Sequence, residues 1–163
     1  MTEENVNAGA QQEKLPVFRL LKMYVKDLSF ENPNAPDIFQ TQQSSPQVEV
    51  NMGLKNRQVT GDQWEVLLSI TAKINDGEND KTLFIIEIEH GGVFLLQNIP
   101  EEHMPMVLAV DCPTLIFPFT RQILSQLSVD GGFMPFLMEP VNFMALYQNA
   151  QKNQEQGGDE TVS

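Results

Sequence analysis

Val48, Val50, Met52 and Leu54 alternate with Gln47, Glu49, Asn51 and Lys55, and a repeat of two is the period of a half-buried strand. After Thr60-Gly61-Asp62, a turn by composition, the alternation resumes. Trp64, Val66, Leu68, Ile70, Ala72 and Ile74 share one parity, and Glu65, Ser69, Thr71 and Lys73 share the other. Asn75-Asp76-Gly77 tolerates positive φ and closes a second hairpin. Leu83–Glu89 is rich in β-branched and aromatic residues and is expected to end at Gly91-Gly92. Together these segments predict an antiparallel meander. Val17–Phe30 is different: Val17, Leu20, Leu21, Tyr24, Val25 and Leu28 fit helical spacing, while the residue types also permit a strand.

The second half predicts helices. Glu101–Val110 opens with two acids, which suit the positive end of a helix dipole. Asp111 is placed to cap a further helix with Pro113 in its first turn. Ile116, Phe119, Ile123 and Leu127 would form its apolar stripe, and Gly131-Gly132 would stop it. A short helix over Asn142–Gln148 is expected after Pro140. Strands followed by helices predict an α+β domain over residues 15–150, with the helices on one face of the sheet. The polar segments 1–14 and 151–163 lack the apolar area to offset ordering entropy and are expected to be disordered tails.

Charge narrows the choice of partner. The net charge of −12 is no basis for nucleic-acid binding, which needs a basic stripe, nor for anionic membranes. Each terminal segment contributes −2, which leaves −8 on the folded part. No apolar run approaches the roughly twenty residues that span a bilayer, so direct membrane insertion is not expected. The first fourteen residues carry no apolar signal core, and the single cysteine fits a reducing compartment, so a cytoplasmic protein is expected. Ten Phe and eight Met exceed what a few short helices need to cover one sheet face. Self-association would bury the surplus, and methionine also serves surfaces that repack against varied ligands.

Candidate chemistry is sparse. Cys112 with His90 or His103 would be a thiol nucleophile and base, but no spacing supports the pairing, and a small apolar residue packing at Cys112 is the plainer reading. Three soft or imidazole ligands without paired spacing make no zinc site. No phosphate-cradling glycine motif is present. Neither catalytic residues, a metal nor a cofactor is expected. Asp27, Ser29 and Glu31 share parity, as do Glu87 and Glu89, so one sheet face would be acidic. A solvated face is the plain explanation, but Leu83 and Ile85 share the parity of Glu87. Apolar side chains among carboxylates form a candidate docking surface for a basic partner.

Two long segments carry a resemblance. Tyr24-Val25-Lys26-Asp27-Leu28-Ser29-Phe30-Glu31-Asn32-Pro33-Asn34-Ala35-Pro36 resembles the N-terminal signature of the SecB family. Cys112-Pro113-Thr114-Leu115-Ile116-Phe117-Pro118-Phe119-Thr120-Arg121, Gly131-Gly132-Phe133 and Pro140-Val141-Asn142-Phe143-Met144-Ala145-Leu146-Tyr147 resemble its C-terminal half, and Glu87 before Gly91-Gly92-Val93-Phe94 fits between them. The crossover over 34–46 lacks the family's frequent tryptophan, and Met134 and Met144 stand where proline and aspartate are usual.

The resemblance implies a four-stranded antiparallel sheet with one long and one short helix, and makes Val17–Phe30 a strand. It implies a homotetramer built as a dimer of dimers, and an ATP-independent cytosolic chaperone that holds unfolded precursor proteins for export and delivers them to the SecA motor. By the same resemblance Asp27, Glu31, Ile85 and Glu87 contact SecA, and Phe39, Phe117 and Phe119 lie in segments that line the client groove. Two other readings remain: a small-ligand-binding or enzymatic α+β domain with a pocket around Cys112 and His103, and a SecB-like chaperone dedicated to a toxin–antitoxin pair.

Overall fold

The computed structural model describes residues 14–41 and 45–157. Strands β1 (Val17–Glu31), β2 (Gln47–Thr60), β3 (Gln63–Asn75) and β4 (Thr82–Gln97) form one antiparallel sheet in the order β1-β4-β3-β2. Helix α1 (Glu101–Asp130) and helix α2 (Phe143–Gly157) follow. The expected parity is the parity of the sheet: Val66, Leu68, Ile70, Ala72 and Ile74 of β3 and Phe84, Ile86 and Ile88 of β4 are all buried beneath the helices. Because β1 pairs with β4, the connection to β2 crosses the sheet end, where a 3-10 turn at Asp37–Gln40 buries Ile38.

Val17–Phe30 is a strand, as the family resemblance implied. Register shifts at Leu20/Lys22 and Val25/Asp27 explain its helix-like spacing. Each bulge adds one residue, so Phe18, Leu20, Met23, Val25, Leu28 and Phe30, opposite the inward residues of β4, recur at alternating steps of two and three. A third irregularity corrects the placement of Leu83. Ile74 pairs with Phe84 and Asn75 with Thr82, so Leu83 is the extra residue and turns into the core at 3% exposure.

Gly91-Gly92 does not end β4, which runs through both glycines to Gln97. Close packing requires them. A Cβ on Gly91 would lie 2.7 Å from Leu67 Cδ2 and 3.1 Å from the Tyr24 ring on the open face. A Cβ on Gly92 would lie 2.9 Å from Phe94 and 3.0 Å from Leu20 beneath the helices. Gly131-Gly132 does end a helix: the Gly131 N–H reaches the Leu127 carbonyl at 2.9 Å, and Gly132 holds φ +91°.

The helical half also departs from expectation. Glu101–Asp130 is one run, without a break before Asp111, and Asp111 makes no cap bond. Val107–Asp111 forms a π turn in which the Cys112 N–H reaches back to the Val107 carbonyl. Pro113 has no N–H to continue an α ladder, and the widened turn accommodates it without ending the helix. The inward stripe is Ile116, Phe117, Thr120, Leu124 and Ser128, which leaves Phe119 exposed. By length and composition α1 would suffice to cross a membrane, yet half of its most apolar window is buried inside the fold. Helix α2 runs nine residues past the expected end at Gln148, seven of them in the stretch expected to be tail; Gln151, Lys152, Gln154 and Glu155 are all good helix formers.

Gly92→Ala should cost about 1–3 kcal/mol, read as a lower urea midpoint, because the new methyl meets packed side chains on two elements. Under α1, buried His90 bonds Thr120 Oγ1 through Nδ1 at 2.7 Å, while Thr120 donates to the Ile116 carbonyl. Burial lowers the His90 pKa below its usual value, so the unfolded chain takes up the proton first as pH falls. Stability should therefore decline as pH drops below about 6.5, and His90→Gln should flatten that slope in melting curves.

Candidate functional surfaces

On the face turned away from the helices, strand pairing assembles the acidic patch. Glu89 sits between Asp27 and Ser69, Glu87 between Ser29 and Thr71, and Ile85 between Glu31 and Lys73. With strands about 4.8 Å apart, Asp27, Glu31, Ile85 and Glu87 form one surface. Glu87 is exposed and Ile85 half-buried, so an apolar side chain does stand among carboxylates. Leu83 is not part of it.

The same face has a different character above the bulge at Val25/Asp27. Buried Glu65 of β3 accepts the Tyr24 hydroxyl, Arg57 Nε at 2.9 Å and Lys26 Nζ at 3.3 Å, tying both edge strands to the middle of the sheet. The Tyr24 bond foremost, aided by Arg57 and Lys26, holds the Glu65 carboxyl below the usual range despite burial. Burial, and then the bond to Glu65, pushes Tyr24 up to about 12. The Tyr24 ring lies over its β4 partner Gly91, whose missing side chain leaves room for the hydroxyl to reach diagonally to Glu65.

The three phenylalanines expected in the client groove do not come together. Phe117 is 5% exposed and packs edge to face on Phe143 at 5.7 Å; within one subunit it is a core residue because its turn of α1 faces the sheet. Phe39, 45% exposed, packs on Phe133 at 5.3 Å. Phe119, 48% exposed, stands on the open flank of α1 beside Ile123.

The pattern did not single out the extended segment 133–141. Phe133, Phe136, Met138 and Val141 pack on the core, while Met134 and Leu137 stay 84% and 71% exposed. A cavity of about 130 Å³ lies between this segment and Val48, Ile74 and Leu83, and one of about 240 Å³ between Met52, Leu54, Phe143 and Tyr147. Both open along β2, an edge strand with exposed Val48 and Val50. The available signal was the clustering of Phe133, Met134, Phe136, Leu137 and Met138 around Pro135 and Pro140, without a helical period.

Cys112 has the setting of a packing residue. It is fully buried, and burial together with the Asp111 carboxylate pushes its thiol up to about 12, away from nucleophilic character. His103 points outward near Glu102 and lines a cavity of about 510 Å³ from which Cys112 is absent. The enzymatic pairing of these two residues therefore has no geometry to support it. An acidic patch on the wet sheet face and an opposite face left partly apolar suit a binding module.

The comparisons name the family. A family model described as preprotein translocase subunit SecB matches residues 11–154. The chain is 58% identical over 156 residues to the protein-export protein SecB of Desulfotalea psychrophila, covering 96% of this chain and 97% of that one. It is 42% identical over 146 residues to the SecB of Magnetococcus marinus, covering 90% and 92%. In fold it is similar to a Mycobacterium tuberculosis SecB-like chaperone solved with an antitoxin peptide, with a TM-score of 0.64 at 13% identity over 77% of this chain and 91% of that one. The chain belongs to the SecB family of protein-export chaperones.

Phe117→Ala should cost roughly 3–5 kcal/mol, as truncation of a buried aromatic does. Phe39→Ala, at a half-exposed site, should cost about 1 kcal/mol. Denaturant titration of the two variants checks the assignment.

Proposed function

We propose that this chain acts in the cytosol as an ATP-independent chaperone, holding unfolded precursor proteins on its apolar helix-side surface and passing them to SecA through the acidic half of its sheet. The observation that carries the holding step is the exposed Met134 and Leu137 beside the uncovered Val48 and Val50 of β2. An unfolded segment can place apolar side chains there with little demand on sequence, since methionine adapts its shape and an edge strand offers free backbone groups. Phe39 extends this surface toward the crossover. No cofactor takes part in this reading.

For SecA, the row of Asp27, Glu31 and Glu87 around Ile85 supplies steering charge with a small apolar anchor, which suits a basic partner. A second uncovered band supports assembly as a dimer of dimers. Phe18, Leu21, Val25 and Leu28 along the β1 edge, with Leu115 and Phe119 on α1, stay exposed in a single subunit, and pairing between subunits would bury them.

Paired titrations, one with SecA and one with an unfolded precursor without nucleotide, test the reading. A single rim charge is worth only about 0–1 kcal/mol, so reversal at two sites is needed. Asp27→Lys with Glu87→Lys should lose SecA affinity, most at low salt, yet hold precursor and keep the tetramer mass in light scattering. Met134→Ser with Leu137→Ser should do the converse. Loss of both activities in either variant would overturn the separation of the two surfaces, and a stable monomer at micromolar concentration would overturn the assembly.

A further inference from the structure

Five of the chain's ten lysines and arginines gather at one end of the open sheet face: Arg19, Lys22 and Lys26 from β1, and Lys55 and Arg57 from β2. Strand pairing makes the arrangement orderly. Val93 lies between Lys22 and Glu65, with Arg57 beyond on β2; Leu95 lies between Arg19 and Gln63; Lys55 stands opposite Leu67. All five basic residues are exposed, and Val93 and Leu95 are partly exposed between them. Glu65 engages Lys26 and Arg57, whereas Arg19, Lys22 and Lys55 form no ion pair among the described residues. In a chain of net charge −12 this is a segregated basic surface with an apolar centre, at the opposite end of the face from Asp27, Glu31 and Glu87.

We infer that this end of the sheet binds an acidic, extended segment of a partner polypeptide with the pattern acid, any residue, apolar, any residue, acid. The spacing selects the pattern. The two edge strands stand three strand intervals apart, about 14 Å, and carboxylates four residues apart in an extended chain span the same distance at about 3.4 Å per residue. A segment lying across the strands, skewed because Lys55 stands two residues along β2 from Arg57, the residue directly across from Lys22, would place one acid by Lys22 and the other within reach of the long Lys55 side chain, with the residue midway beside Val93. Nucleic acid fits less well, because it needs a longer run of cations and would meet the surrounding negative field. This site is separate from those proposed for SecA and precursors, and its test does not depend on them.

The probe is a fluorescein-labelled peptide with three Glu-Ser-Leu-Ser repeats closed by a Glu, titrated with the full chain by anisotropy at 50 and 300 mM salt. Binding is expected, weakened fivefold or more at the higher salt. Replacing each Leu by Ser should weaken it at least threefold, and Lys22→Glu with Lys55→Glu at least tenfold, while precursor holding and oligomer mass stay unchanged. Should the reversal variant lose its fold, Lys22→Gln with Lys55→Gln carries the same comparison. The inference is overturned if the Glu peptide does not bind or if the double variant binds it as the wild type does. Better competition by a single-stranded oligonucleotide or phosphatidylserine vesicles would also overturn it. So would self-association of the wild type that the double variant abolishes, since a second copy would then occupy the face.

Discussion

At the centre of the sheet, Gly91 and Gly92 leave space that neighbours on both faces fill. Below Gly92, Leu20, Phe94 and Ile116 meet where a side chain would have stood, so β1, β4 and α1 close on one another. Above Gly91, the Tyr24 ring and Leu67 occupy the corresponding gap, and Tyr24 reaches Glu65 across it. A side chain at either position would push apart the layers on which the rest is built. Because β4 continues through this point to Gln97, it pairs with β1 over Ile85–Gln97 and with β3 over Thr82–Leu95. The sheet then has one dry face and one wet face, since alternate residues of a pleated strand must point to opposite sides.

In the proposed reading those two faces have separate tasks. The wet face is divided along the strand direction, acidic around Ile85 and basic around Val93 and Leu95, with the Glu65 cluster between. The dry face is only partly covered: α1 and α2 protect β3 and β4 fully, while the β1 and β2 edges retain exposed apolar residues. Charged side chains on one side and uncovered apolar ones on the other would, in that reading, let a single small domain contact different partners at once.

Membership in the SecB family is what the proposed roles of these surfaces build on. An export chaperone must hold polypeptides of many sequences and still be recognised specifically. Apolar contact meets the first requirement because it is non-directional. Charge arrangement meets the second, because it steers and orders the encounter more than it strengthens it.

From the chain alone, the parity of Val66 to Ile74, the turns, the α+β order, the grouping of Asp27, Glu31 and Glu87, and the stop at Gly131-Gly132 were all legible, since each depends on local period or backbone preference. The family motifs added β1, where two bulges had disguised a strand as a helical spacing. What remained was decided by contacts between distant segments. Gly91-Gly92 has the composition of a terminator, but Leu67 and Leu20 fill the space above and below and the strand continues. Leu83 changed faces because a bulge opposite Asn75 turned it inward. Asp111 became part of a π turn because the chain continued through Pro113. Phe117 went into the core and Phe119 to the surface because the sheet selected which side of α1 faced down. A local pattern records which residues share a face, but only the packed structure settles which face is covered, and by what.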